Sequence, residues 1–140
     1  MKIYNHELEK FIEFLYELKL MDRKSRMRTR LIRLLADKQA ELQQDHLQLV
    51  KEYAELDGEG NPIVVEKDGN QVYDIRDQQQ FAQAYQRLLL EEVVMEENEE
   101  RKDMLLSVRD SVLNCGMAFE GEQSLYYDRW CEIVEQIAYE

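Results

Sequence analysis

Between Asp22 and Leu56 the chain runs roughly thirty-five residues without a glycine or a proline, DRKSRMRTRLIRLLADKQAELQQDHLQLVKEYAEL, and this stretch limits what the rest can do. Met27, Leu31, Leu34, Leu35, Leu42, Leu49, Tyr53 and Leu56 recur at threes, fours and sevens between Arg, Lys, Glu, Gln and Asp. That spacing puts the apolar side chains on one face of an α-helix, and nearly every residue between them is a good helix former. At about 1.5 Å per residue the helix would be roughly 50 Å long. A compact chain of this size has a radius of gyration of only about 14 Å. The helix is therefore expected to project, bend or be shared with a partner.

Its polar face is uneven. Arg23, Lys24, Arg26, Arg28, Arg30 and Arg33 crowd the first turns, and Arg23, Arg26, Arg30 and Arg33 share one side at spacings of three and four. One reading is that they solvate the helix and pair with acids elsewhere in the chain or its oligomer. The other is a docking patch for a nucleic-acid phosphate or an acidic protein surface. Cations at a helix N-terminus oppose the macrodipole by about a few tenths of a kcal/mol, so local helix stability does not ask for them there.

A length of 140 residues fits one domain with one core, and 44% hydrophobic against 34% charged residues predicts a thin one. Nothing approaches a membrane-spanning run, and MKIYNHELEK has neither the apolar centre nor the small-residue cleavage site of a signal peptide. A soluble, cytoplasmic protein with no membrane association is expected. The net charge of -12 repels nucleic acid at long range and argues against it as the partner. Cys115 and Cys131 alone make neither a disulfide framework nor a zinc site, and read as helix-associated, partly buried thiols.

Taken in order, Asn5 is placed to cap a first helix (5–20) with Leu8, Phe11, Ile12, Leu15 and Leu18 as its stripe, widened by Phe14 and Tyr16. The long helix (22–56) starts at Asp22 or Ser25 and gives way at DGEGNP. Ile63-Val64-Val65-Glu66 and Gln71-Val72-Tyr73-Asp74-Ile75, joined across Asp68-Gly69, predict a β-hairpin over 62–76. A lone hairpin is marginal in water, so it calls for a third strand or a helix face. That strand is sought at 92–96, EVVME, where continued helix is the alternative. Before it lies a helix (77–90) capped by Asp77, with Gln80 in the capping-box position and Phe81, Ala84, Tyr85, Leu88 and Leu89 inward. Asn98 is placed to cap a helix (98–114) with Met104, Leu105, Val108, Val112 and Leu113 inward and Gly116 as its stop. The last helix (122–139) carries Tyr127, Trp130, Cys131, Val134, Ile137 and Ala138 on one face. The fold class is α+β, mostly α: a long central helix with packed helices and a small antiparallel hairpin or three-stranded sheet at one end.

Catalytic signatures are missing. His6 and His46 stand alone without HExxH or a cysteine at metal spacing, and no GxGxxG, P-loop or GxSxG occurs. The Asp57 to Asn61 loop has Pro62 where a calcium loop needs its turn glycine. Glu91, Glu92, Glu96, Glu97, Glu99 and Glu100 cluster, but glutamates on exposed faces are common and carry no metal or acid-base assignment here. No enzyme activity, cofactor or metal is expected. The acidic cluster supports a different alternative, a nucleic-acid mimic that occupies a basic channel of a host defence protein.

Four segments, LKLMDRKSRMRTRLIRLL, EYAELDGEGNPIVVEKDGNQVYDI, EEVVME and YDRWCEIVEQI, together resemble a family of small uncharacterised phage and prophage proteins of Gram-positive bacteria, the domain-of-unknown-function family 1617. The resemblance covers nearly the whole chain and carries no activity. It implies action in a bacterial host cell, with virion association compatible. The expected function is a protein–protein interaction module with a phage or host protein partner, such as an assembly factor, minor virion component or adaptor. Such a module could also form a homo-oligomer through the long helix.

Overall fold

In the computed structural model, which describes residues 1–139, the stretch from Asp22 to Tyr53 is one unbroken α-helix, α2. It opens at Asp22, whose φ of 54° lies in the left-handed region that aspartate tolerates. The predicted last turn, as far as Leu56, is absent. Ala54 still donates to Val50 O at 2.8 Å, but Glu55 N–H donates to Asp74 O at 2.9 Å and Glu55 O accepts from Ile63 N–H at 2.8 Å. The chain leaves the helix because the base of the hairpin offers its backbone other partners, and Leu56 ends up exposed.

The remaining elements are α1 (Leu8–Glu17), α3 (Gln78–Leu89), α4 (Lys102–Leu113) and α5 (Glu122–Glu135), with strands β1 (Lys2–Tyr4), β2 (Val64–Lys67), β3 (Asn70–Tyr73) and β4 (Glu92–Val94). The protein is α+β and mostly α, with two small antiparallel sheets of two strands each. By its contacts the chain forms two compact units: Met1–Gln39 together with the chain from Glu92 onward, and Ala40–Glu91. The α2 helix contributes to both.

In the first unit, Leu8, Phe11, Ile12, Phe14, Leu15 and Leu18 are buried from α1 and its exit. Met27, Leu31, Ile32 and Leu35 join them from α2, Leu105, Val108 and Val112 from α4, and Trp130, Ile133, Val134 and Ile137 from α5 and the residues after it. Tyr16, expected to widen the α1 stripe, points to solvent, as does Leu113 at the end of α4. Asn5 lies inside a 3-10 turn, Asn5–Glu7, instead of capping α1; at this end the Tyr4 N–H donates to the Glu7 carboxylate at 3.0 Å. Asn98 caps the turn ahead of α4, accepting from the Arg101 N–H at 2.9 Å, so that helix begins at Lys102. The last helix stops at Glu135; Ile137 remains buried while Ala138 is exposed, because the Arg109 guanidinium and the Glu97 carboxylate take up the backbone of 137 and 138 instead.

The EVVME segment does form a strand, over 92–94, but it does not extend the hairpin. It pairs with β1 in the register Lys2↔Val94, Ile3↔Val93, Tyr4↔Glu92. Ile3 and Val93 are buried as a pair in this sheet. The outer rim of β1 is closed by Gln136, whose Oε1 accepts from Lys2 N–H at 2.9 Å and whose Nε2 donates to Lys2 O at 3.1 Å.

The second unit has a smaller interior: Val50, Ala54 and Leu88 are its buried apolar residues. Phe81, Tyr85, His46 and Tyr53 form a ring cluster in this unit, Phe81 stacked on Tyr85 and His46 tilted against Tyr85 with ring centres 4.6 Å apart. Asp77 caps α3 as expected, accepting from Gln80 N–H at 3.0 Å. The hairpin turns on Asp68 and Gly69, both with positive φ (53° and 80°), the geometry of the two-residue turn that Asp-Gly favours.

One side chain fixes how the first two helices meet. The half-buried Arg28 reaches from α2 to the last carbonyls of α1, donating to Leu15 O at 2.7 Å and Leu18 O at 2.8 Å. Leu15 O otherwise has only a long bond from the Leu18 N–H, 3.3 Å, at the frayed end of the helix. The Nε of the same guanidinium is buried without an acceptor among the described residues, which offsets part of the gain. Arg28→Met is therefore expected to destabilise the fold by about 1–3 kcal/mol in urea unfolding. The exposed neighbour change Arg30→Met should leave the midpoint unchanged.

Candidate interaction surfaces

Six cations lie between Arg23 and Arg33, and the structure divides them into two groups. Arg23 reaches α4 to pair with Asp103 at 2.8 Å, and Lys24 pairs with Asp110 at 2.8 Å, one helical stretch along the same face. The Lys24 ammonium lowers the Asp110 pKa by hydrogen bond and charge. Arg28 turns inward to the end of α1. Arg26, Arg30 and Arg33 are exposed and form no ion pair among the described residues. The row expected of Arg23, Arg26, Arg30 and Arg33 is thus present on the helix, with its first member tied down and the other three bare. Beside it lies a shallow depression lined by Asp22, Arg23, Arg26, Met27 and Arg30, with the buried Met27 at its floor.

The acidic cluster is not brought together in the same way. Glu91 belongs to the second unit; Glu92, Glu96, Glu97, Glu99 and Glu100 belong to the first. Glu92 sits in β4, and Glu96 to Glu100 occupy an irregular segment instead of a helix, so they lack the regular spacing of a phosphate row. Glu97 is already used, accepting from the Ala138 N–H at 2.8 Å, and Glu96 O accepts from Arg101.

The hairpin presents a third surface. Val64 faces Tyr73 across the strands and Val65 faces Val72, one apolar pair on each face. These side chains are 50%, 40%, 39% and 39% exposed in that order, so neither face is covered. Among the described residues no third strand joins this sheet, and only single bridges, Ala54 to Ile75 and Leu56 to Pro62, reach its base.

A fourth surface does not stand out in the sequence. Trp130 forms the floor of an open groove between α1 and α5, with Phe14, Phe119, Tyr126 and Tyr127 around it. Phe119 and Tyr127 stack at 4.2 Å and Phe11 meets Trp130 at 5.1 Å. Lys10 crosses the groove, donating to Tyr126 Oη at 2.7 Å and lying 4.3 Å above its ring. The available signal is YYDRW at helical spacing from Phe119, but aromatic residues on a helix face read equally well as core. Tyr127 donates to Val112 O at 2.7 Å; burial, with hydrogen bonding to Cys131 and Cys115, pushes its pKa up. Burial likewise pushes the Cys131 thiol up, against a smaller opposing hydrogen bond from Tyr127. A thiol held protonated in this way is a poor nucleophile. His6 stacks on Tyr4 at 5.6 Å.

Among the described residues no helix is long and apolar enough to cross a membrane, and no group of three or more His, Cys, Asp or Glu is placed to hold a metal ion. The chain matches no family model, no curated protein and no solved structure.

At the lip of the groove, Arg129 grips Glu7 with two hydrogen bonds, 2.7 and 3.1 Å. The Glu7 side chain is 11% exposed, against 69% and 75% for the Arg23–Asp103 pair, so solvent screens this ion pair less than that one. Burial by itself raises the Glu7 pKa, but the Arg129 hydrogen bond, the Tyr4 N–H and the nearby positive charges outweigh it and leave the group below its ordinary 4.5. A depressed folded value means the stabilisation is complete above the unfolded value and lost as pH falls through the folded one. Glu7→Gln is therefore expected to be less stable than the parent chain at pH 7. The difference should shrink as pH drops below 4.5, as read by thermal melts across the acid range.

Proposed function

We propose that this chain is a non-catalytic protein–protein interaction module that meets its partner through the β2–β3 hairpin. The observation that supports this reading is the double exposure of the hairpin. An ordinary two-stranded ribbon is only marginally stable unless something packs on it. Here valine and tyrosine pairs face outward on both sides, and the backbone bonds that hold the finger lie at its root, where Asp74 and Ile63 meet Glu55 and Arg76 meets Tyr53 at the end of α2. A protein that lays a strand or an apolar surface against the hairpin would remove those side chains from water at about 25 cal/mol per Å². The non-catalytic part of the reading rests on the ring contacts of both histidines and on the raised Cys131 thiol. The resemblance to small phage proteins of Gram-positive bacteria suggests an assembly factor, minor virion component or adaptor.

Two double substitutions test it while keeping each cross-strand pair attractive: Val65→Lys with Val72→Glu, and Val64→Lys with Tyr73→Glu. At least one should abolish capture of the specific partner that tagged parent protein retains from producing cells, with circular dichroism and melting temperature unchanged. Equal capture of the same partner by both variants would remove the hairpin from the interface.

A further inference from the structure

The hairpin leaves the arginine row of α2 without a role. The row lies in the other unit, so its use is independent of the hairpin's. Of the six cations between Arg23 and Arg33, three are consumed by the fold: Arg23 and Lys24 on α4, Arg28 on α1. The other three, Arg26, Arg30 and Arg33, hold no acid among the described residues, although the chain carries 30 carboxylate side chains against 18 cations. Acids within the chain are plentiful, so a row that takes none of them is not needed for surface neutralisation.

All three are arginine. A guanidinium offers a fixed fork of donors that fits a carboxylate at two points, where lysine offers a point charge. Along the helix the row rises by roughly 6 Å and then 4.5 Å. A second helix running antiparallel presents matching positions at i, i+3 and i+7, and antiparallel helix dipoles favour that direction. Next to the row, Met27 floors a depression that Arg23, Arg26 and Arg30 rim, which gives an apolar side chain of the same partner a seat. A nucleic-acid strand would also satisfy guanidinium groups. It carries charge over a much longer reach, however, and the net charge of -12 opposes it there.

We propose that Arg26, Arg30 and Arg33 form a docking row for an acidic helix of a protein partner, one with carboxylates at i, i+3 and i+7. The test is fluorescence anisotropy with the full chain and three labelled probes. One is a helical peptide with glutamates at i, i+3 and i+7 in an Ala/Gln background. The second has the same composition with its glutamates spread around the helix, and the third is a single-stranded DNA of equal length. The matched peptide should bind, weaken with added salt, and lose about tenfold in affinity on Arg26→Ser with Arg30→Ser and Arg33→Ser. Lys24→Ser, which removes a cation already paired with Asp110 and outside the depression, should leave that binding unchanged within about twofold. Absence of binding, equal binding of the scrambled peptide, tighter binding of the DNA, or indifference to the triple substitution would each overturn the proposal. Because the substituted side chains are exposed, an unchanged melting temperature of the triple variant separates lost docking from lost folding.

Discussion

The guanidinium of Arg28 is the contact on which the arrangement of the first unit depends. Helix α1 ends with carbonyls that its own turns cannot satisfy, and only four residues separate it from α2. By donating to Leu15 and Leu18, Arg28 satisfies these carbonyls and ties the end of α1 to the second turn of α2. Beside this tie, Leu15, Leu18, Leu31 and Leu35 are all buried, and Phe11 and Phe14 of α1 meet Trp130. A cation that reads in the sequence as part of a surface cluster is thus a structural joint. The same joint explains why the cluster is so dense: one member is used inside, two bind α4, and three remain outside.

Periodicity carries most of the fold. All five helices, the Asp77 cap and the Asp-Gly turn follow from spacing and local chemistry, and the structure has each of them. Errors arise where no period exists to read. The three-residue β1 is too short to show alternation, so sequence reasoning assigns its partner, the strand at 92–94, to the hairpin instead. The helix end at Tyr53 is set at Glu55, whose N–H donates to Asp74 O and whose carbonyl accepts from Ile63 N–H, residues beyond the helix that local propensity cannot anticipate. Ile32, Val50 and Ile133, each at most 2% exposed, fall outside the apolar stripes, because each lies beside the Leu, Tyr or Trp series that dominates the spacing.

The charged surfaces are legible in kind and not in use. Six cations within about three turns of helix are plain in the sequence, but which of them face α4, which face α1 and which face outward depends on where those helices pack. The glutamates of 92–100 allow a helix by spacing alone. The strand and irregular backbone found there scatter them, and Glu97 serves the chain's own C-terminal segment. Aromatic residues pose the converse problem: Trp130 is buried as expected, yet Tyr126 next to it lines an open groove.

Gln136 shows how much can rest on the choice between two nearly identical atoms. It meets both halves of one residue's backbone, the N–H and the carbonyl of Lys2, and only a side chain that both gives and takes a proton bond can do so. A glutamate of the same shape would set a charged oxygen against the Lys2 carbonyl and unfasten the clasp. The Lys2 N–H would still donate to the carboxylate, but the Lys2 carbonyl at the rim of β1 would lose its donor and stand open to a strand of another molecule. At this position the carboxamide is both a stitch in the fold and a safeguard against unwanted polymerisation.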